Sequence, residues 1–205
     1  MASIASISHD GRILRRERNR ETIVAALLGL YDRGQIDVSA AEIAIEAGLS
    51  ERSLFRYFDD VNDLYRTACD AQFERISLFT NISELGRGSV TEKIEHFVDQ
   101  RMRLFKQVGT IGRVARAHSH RVPAIHRQLS KGRRILRDQM LQHFEAELES
   151  LGRQERIAAI AAIDVLSSFE SYELMRHDQG LSEAAIKSAL TISLTKSLKH
   201  TKRTT

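Results

Sequence analysis

Residues 38–65, "VSAAEIAIEAGLSERSLFRYFDDVNDLY", hold two helix starts and one tight turn in close succession. Ser39 with Glu42 three positions on has the capping-box form, in which each side chain meets a backbone donor of the first helical turn. That helix stops at Gly48, and Ser50 is placed to cap the next one. Leu54 and Phe58 then stand one turn apart, and with Ile43, Ala44, Ala47 and Leu49 they can close a small core. Upstream, Ile23, Leu27, Leu30 and Tyr31 fall at i, i+4, i+7 and i+8, one face of a helix that Gly34 can end. Downstream, Asp60 or Asn62 can cap a fourth helix bearing Leu64, Tyr65, Ala68, Cys69, Phe73 and Ile76 toward a break at residues 86–89. The pattern predicts three short helices and one longer connector, with a turn of helix-turn-helix length between the second and third.

Burying Leu54 and Phe58 turns Arg52, Ser53, Arg56 and Tyr57 outward, with Phe55 at the boundary. Two arginines, a small hydroxyl and aromatic rings suit a DNA major groove, where arginine can fork onto guanine and rings can meet thymine methyls or sugars. The helix starts at Ser39 and Ser50 offer amides to phosphate oxygens. In front of the first helix Arg12, Arg15, Arg16, Arg18 and Arg20 are opposed only by Glu17. Such a basic arm can follow the backbone or enter the minor groove.

On these residues the chain resembles the DNA-binding domain of the tetracycline-repressor (TetR) family of bacterial regulators. The resemblance spans about residues 20–66 and rests on Ser39 at the cap, Glu42, Ile43 and Ala44, the turn from Ala47 to Ser50, and Leu54 with Phe58. It implies an all-α chain: a basic arm at 1–19, a three-helix helix-turn-helix domain at 20–66, and a larger helical effector-binding and dimerisation domain at 67–205. It implies double-stranded DNA with a pseudo-palindromic operator as partner, a homodimer, a small-molecule effector of unknown identity, no cofactor, and a repressor that leaves DNA when the effector binds. Two positions depart from the family pattern: Phe55 stands where tyrosine is usual and Val61 where a phosphate-contacting lysine is common. Both remove backbone contacts and shift that load to Arg52, Arg56 and the Arg15–Arg16 pair. The alternative is a helical small-molecule-binding or protein-interaction protein without DNA activity.

Composition agrees with helices throughout. The 205 residues are 42% apolar, enough for a full core, with one proline and no tryptophan. Further helices are expected near 91–107, 111–119, 123–151, 154–177 and 182–200, with the final "KHTKRTT" fraying. No signal-peptide segment or membrane span is readable, and a lone Cys69 excludes an intramolecular disulfide, so a cytoplasmic protein is expected. Net charge is +4 with a pI near 9.4, and residues 100–137 hold eleven Lys and Arg, three His and no acid. We read that window as a surface facing DNA phosphates, the alternative being positive groups that orient an anionic effector.

Phe73, Phe97, Met102, Phe105, Phe169, Tyr172 and Met175 have the size and spacing to line an apolar effector pocket, although residues of this kind at helical spacing are more often plain core. Residues 157–166 are apolar or small except Asp164, so this helix, with Ile160 and Ile163, must be covered on several sides. In the last helix Ile186, Leu190, Leu194 and Leu198 form one stripe, beside a row of small residues that includes Ala189 and Ser193. These positions are the expected dimer interface, with intrachain core as the alternative reading.

His118, His120 and His126 do not share one helical face and have no cysteine or carboxylate beside them, so no metal site is expected. Cys69 on an apolar face reads as packing. The absence of a glycine-rich phosphate loop after a strand, of G-x-S-x-G and of H-E-x-x-H leaves an enzyme no motif and no catalytic residue.

Overall fold

The computed structural model describes residues 3–198, and side chains from residue 13 onward. The expected end of the last helix at His200, the "KHTKRTT" tail and the side chain of Arg12 lie outside the described residues. Among the described residues every regular element is helical: α1 (Ser3–Asp32), α2 (Ala40–Glu46), α3 (Glu51–Leu54), α4 (Val61–Ser77), α5 (Val90–His118), α6 (Pro123–His143), α7 (Glu145–Glu149), α8 (Arg153–Leu166), α9 (Phe169–Glu173) with a π-helical extension (Leu174–Asp178), and α10 (Glu183–Leu198). None is long and apolar enough to cross a membrane.

Two compact units divide the chain. The first takes residues 1–75 and 108–129, the second residues 76–107 and 130–205. The first is larger than the 20–66 stretch read from sequence, for a physical reason. Ile111 and Val114 are buried in one cluster with Ile23, Leu27, Leu30 and Tyr31 of α1, Ile43 and Ala44 of α2, Leu54, Phe58, and Leu64 and Ala68 of α4. A smaller cluster of Ala115, Val122 and Ile125 packs with Tyr65 and Cys69. The segment expected as an arm before helix one is, over its described residues, the first part of α1, which runs unbroken from Ser3.

Local chemistry sets the breaks in this unit. Ser39 accepts from the amide of Glu42 at 3.2 Å, and the Glu42 carboxylate accepts from the Ser39 amide at 2.8 Å. Gly48, at φ 68°, ends α2 in a left-handed turn that lets the Leu49 amide reach the Ala44 carbonyl at 2.8 Å. Asp60, not Asn62, caps α4, accepting from the Asp63 amide at 2.7 Å.

The second unit holds Ile94, Phe97, Val98, Leu104 and Phe105 of α5 in its interior, with Met140, Phe144, Leu148, Ile163, Phe169, Ile186, Leu190 and Leu194. Three expected helices are shorter or broken. The connector ends at Ser77, the 123–151 helix breaks at Phe144, and the 154–177 helix breaks at Ser167–Ser168. At the last break the Ser167 hydroxyl donates to the Ile163 carbonyl at 2.6 Å, and Ser168 caps α9 by accepting from the Ser171 amide at 3.1 Å. Within α5, Gly109 has φ 46° and ψ −143°, which separates the helices expected at 91–107 and 111–119.

Leu54, fully buried in the centre of the first cluster, tests this packing. Leu54→Ala should lower stability by about 2–5 kcal/mol in chemical denaturation; a loss below about 1 kcal/mol would contradict its place in the core.

Candidate functional site

The turn from Ala47 to Ser50 and the start of α3 carry the residues with the sharpest chemistry. Ser50 accepts from the Ser53 amide at 3.2 Å, and the two hydroxyls bond each other at 2.9 Å. Ser53 is therefore half-buried and already partnered. Beyond Leu54, bonds from the Arg56 amide to the Ser53 carbonyl and from the Tyr57 amide to the Leu54 carbonyl extend helix-like backbone through Tyr57. Arg52, Phe55 and Arg56 lie on the outside, Phe55 with 42% of its surface exposed.

Tyr57 departs from its expected outward role. It is half-buried, and its hydroxyl accepts from the Asn19 side chain at 2.7 Å. Its carbonyl accepts from Arg20. The Arg20 guanidinium lies 4.2 Å over the Phe58 ring, 3.7 Å from the Asp63 carboxylate and 3.3 Å from the Thr67 hydroxyl. Burial works against ionisation of Asp63, yet hydrogen bonds from Arg66 and the Asp59 amide and the charges of Arg20 and Arg66 hold its carboxyl below the usual range. Arg20, grouped by sequence with the basic arm, is thus a structural clamp between α1, the end of α3 and α4.

Arg15 and Arg16 sit one turn before Asn19 and Arg20 on α1, both exposed. With Asn19 they fall within one helical face, because i and i+3 or i+4 positions lie above one another. Asn19 and Arg20 touch Tyr57 and Phe58, so the same face carries Arg15 and Arg16 past the end of α3. Among the described residues no ion pair holds Arg15, Arg16, Arg52 or Arg56, whereas Arg33 pairs with Glu46 at 2.9 Å and Arg75 with Asp32 at 3.5 Å.

Ser39 does not offer its amide outward, because that amide and its hydroxyl both donate to Glu42, at 2.8 and 2.6 Å. These bonds hold the Glu42 carboxyl below its ordinary range. A carboxylate therefore already occupies the start of α2 where a phosphate was expected.

In the second unit, the expected pocket residues fall into separate groups. Phe105, Phe169 and Tyr172 form a buried aromatic cluster with ring centroids 5.7–6.4 Å apart. Phe97 packs edge-on to Phe144 at 5.2 Å and beside His143. Met102 and Met175 are half-buried, and Met102 borders a groove of about 230 Å³ with Asp99, Arg103, Glu183, Ala184 and Lys187. Phe73 belongs to the first unit and does not join them.

The expected dimer residues need correcting. Ile163, Ile186, Leu190 and Leu194 are buried within the single chain, where α8 packs on α10. The most apolar stripe of each helix fills the intrachain core; Ile160, Ala189 and Ser193 are half-buried beside it. The faces left outside are Ile157, Ala158, Ala161 and Val165 on α8, and Ala184, Ser188 and Ile192 on α10.

The acid-free window divides between the two units. Residues 108–129 belong to the first unit and the rest to the second. Arg137 pairs with Asp164 at 2.6 Å and Arg133 with Glu170, while Arg101 is buried. The His118 ring lies tilted against Tyr65 with centroids 4.7 Å apart, and His120 and His126 are exposed. Burial, then the charge of Asp70, pushes the Cys69 thiol up to about 12, which makes it unreactive.

No protein-family model and no curated protein sequence matches the chain. Solved structures do match. A TetR-family transcriptional regulator from Streptomyces coelicolor aligns with a TM-score of 0.66 at 18% identity, over 87% of this chain and 81% of that one. A TetR-family transcription regulator from Marinobacter aquaeolei VT8 aligns with a TM-score of 0.57 at 16% identity, over 90% and 96%. The fatty acid degradation regulator FadR from Bacillus halodurans aligns with a TM-score of 0.56 at 18% identity, over 89% and 97%. The chain has the TetR-regulator fold. The resemblance read in residues 20–66 thus extends, as fold, over nearly the whole chain, and the TetR fold makes α2 and α3 its helix-turn-helix pair.

The Asn19–Tyr57 bond separates a structural role for Tyr57 from a DNA-contacting one. Tyr57→Phe should lower stability by about 0.5–1.5 kcal/mol in thermal or urea unfolding without DNA. Unchanged stability combined with weaker DNA binding would return the hydroxyl to the DNA face.

Proposed function

We propose that the chain is a sequence-specific DNA-binding transcriptional regulator, a dimeric repressor released from its operator by a small molecule. The observation that carries this reading is the set of exposed arginines that have no ion-pair partner among the described residues, Arg52 and Arg56 at α3 and Arg15 and Arg16 on α1, around a helix-turn-helix pair. A group of cations on one surface that no acid of the described residues pairs suits a partner that brings its own negative charge. Arg52, Phe55 and Arg56 read bases and Ser53 lies beside them, while Arg15 and Arg16 hold the backbone from a helix instead of a flexible arm. Helicity reduces the ordering cost of placing these two arginines, because their backbone is fixed before DNA arrives.

The outer faces of α8 and α10 support the dimer reading. Ile157, Val165 and Ile192 are 58%, 64% and 53% exposed among small residues, a composition that suits close helix approach by a second copy. Two copies present two α3 segments, which requires an operator with two half-sites. The effector acts by linkage: a molecule that prefers the conformation unable to place both α3 segments weakens DNA binding, and DNA weakens its binding by the same factor.

Selection from a random duplex pool should yield a two-fold symmetric winner bound by two chains. On that duplex Arg52→Ala or Arg56→Ala should each cost about 1–3 kcal/mol and relax specificity, while Arg15→Ala with Arg16→Ala should reduce the salt slope by about two per bound chain. No enriched sequence would defeat the DNA reading and favour a helical binding protein; an unchanged slope would remove Arg15 and Arg16 from the interface. Ile192→Glu with Val165→Glu should leave the fold intact by circular dichroism and give a monomer in light scattering, and a persisting dimer would place the interface elsewhere.

A further inference from the structure

Arg101 is 1% exposed in the interior of the second unit, and among the described residues no carboxylate bonds to it. Its neighbours are neutral: Nη1 donates to the side-chain oxygens of Gln100 and, at 2.9 Å, Gln139, and Nη2 donates to the Leu136 carbonyl at 2.8 Å. The two glutamines are fixed in turn, since Gln100 donates to the Phe79 carbonyl at 2.8 Å and Gln139 to the Thr80 carbonyl at 2.5 Å. Asp164, the acid whose charge reaches Arg101, is itself paired with Arg137 at 2.6 Å. A guanidinium has five N–H donors, and these bonds use three. Nε is buried with no partner, and one hydrogen of Nη2 is uncommitted.

Burying a cation without an anion is costly, and a buried donor without an acceptor adds to the cost. Bracing α5 against α6 could be done by a neutral side chain; only an arginine presents two parallel N–H groups to a carboxylate. Burial lowers the pKa of Arg101 to about 9, so the group is still ionised at neutral pH. Its setting supplies the apolar half of a site. Phe97, Arg101 and Phe105 fall at i, i+4 and i+8 on α5; the guanidinium lies 4.4 Å over the Phe97 ring, and Phe105 leads into the cluster with Phe169 and Tyr172.

We propose that the effector is a hydrophobic carboxylate, its two oxygens received by Nε and Nη2 of Arg101 and its apolar body laid along the Phe97–Phe105 side of α5. This rests on the reading of the chain as an effector-released regulator and names the effector's class. The edge is covered by protein in this structure, so the carboxylate binds a rearranged conformation of the second unit. That is the behaviour an effector needs, because only a ligand with different affinity for two conformations shifts their balance.

The test is calorimetric titration of the full chain with benzoate and octanoate, each against its neutral amide, together with competition against the selected operator. The expected result is one site per chain for at least one carboxylate, with a preference over its amide of at least roughly tenfold. That preference should vanish in Arg101→Gln while the amide's weak affinity stays within about threefold. If Arg101→Gln does not fold, Arg101→Lys, which keeps the charge but lacks the paired edge, should lose most of the preference. Equal binding of acid and amide, no binding of either pair, or a preference that survives these variants overturns the inference. Arg101-dependent binding that leaves operator affinity unchanged upholds the site and defeats the release mechanism; operator release by neutral compounds regardless of Arg101 does the reverse.

Discussion

The Arg20 guanidinium is held between the Phe58 ring, the Tyr57 carbonyl, the Thr67 hydroxyl and the Asp63 carboxylate, and the candidate DNA face depends on that arrangement. The regular part of α3 is only four residues long, far below the length at which a helix holds itself together in water. Its conformation must come from outside. Leu54 and Phe58 anchor it from beneath, the Ser50 cap fixes its start, and Arg20 with Asn19 fixes its end. Arg52 and Arg56 extend from a segment whose backbone is set at both ends, which is what base reading requires of its support.

The same clamp gives Arg15 and Arg16 a defined position. An extended arm would lose conformational entropy on reaching a groove; a helix that continues from a clamped turn loses less. Phe55 and Val61 lack the polar groups that the resembling family uses on the backbone, and two arginines on the adjoining helix face can supply the missing charge. Elsewhere part of the positive charge is consumed internally. Arg33, Arg75, Arg133 and Arg137 all face acids, so counting basic residues along the chain overstates the surface available to phosphate. Within the acid-free run of residues 100–137, Lys106, Arg133 and Arg137 meet acids distant in sequence.

Local signals were legible in the sequence, and long-range ones were not. The Ser39 box, the Gly48 turn, the Ser50 cap and the core residues Ile43, Ala44, Leu54 and Phe58 are set by neighbours within a few positions, and each stands as read. The capping box also hid an error, because the Glu42 carboxylate that completes it takes the place given to a phosphate. Tyr57 and Arg20 were misread because their partners lie 37–47 positions away. Serines at 167 and 168 carry a readable cap signal inside the apolar run of 154–177, and a boundary at 67 leaves out Ile111 and Val114, which return to the first core. In α8 and α10 the strongest apolar stripe was assigned to a partner copy, yet the chain's own core takes the most apolar face first and leaves a mixed apolar and small-residue face outside.

The second unit has polar groups in its interior that its packing does not require. Lys93 and Glu147 form a nearly buried pair with both carboxylate oxygens at 3.0 Å, and His143 accepts from the Gly86 amide at 3.0 Å while donating to the Lys93 carbonyl at 2.9 Å. Burial is the main cause that holds His143 below its ordinary pKa, in keeping with a neutral ring that uses one nitrogen as acceptor and the other as donor. This network is closed: each charge has its opposite and each ring nitrogen its partner. Arg101, two turns along α5 from Lys93, is as deeply buried, but its hydrogen-bond partners are all neutral and its Nε has none among the described residues. Two buried cations on one helix, one neutralised and one not, cannot both be explained by a need to tie α5 to its neighbours. Lys93 shows how this fold completes a structural ion pair, and the neutral partners of Arg101 set it apart from that pattern.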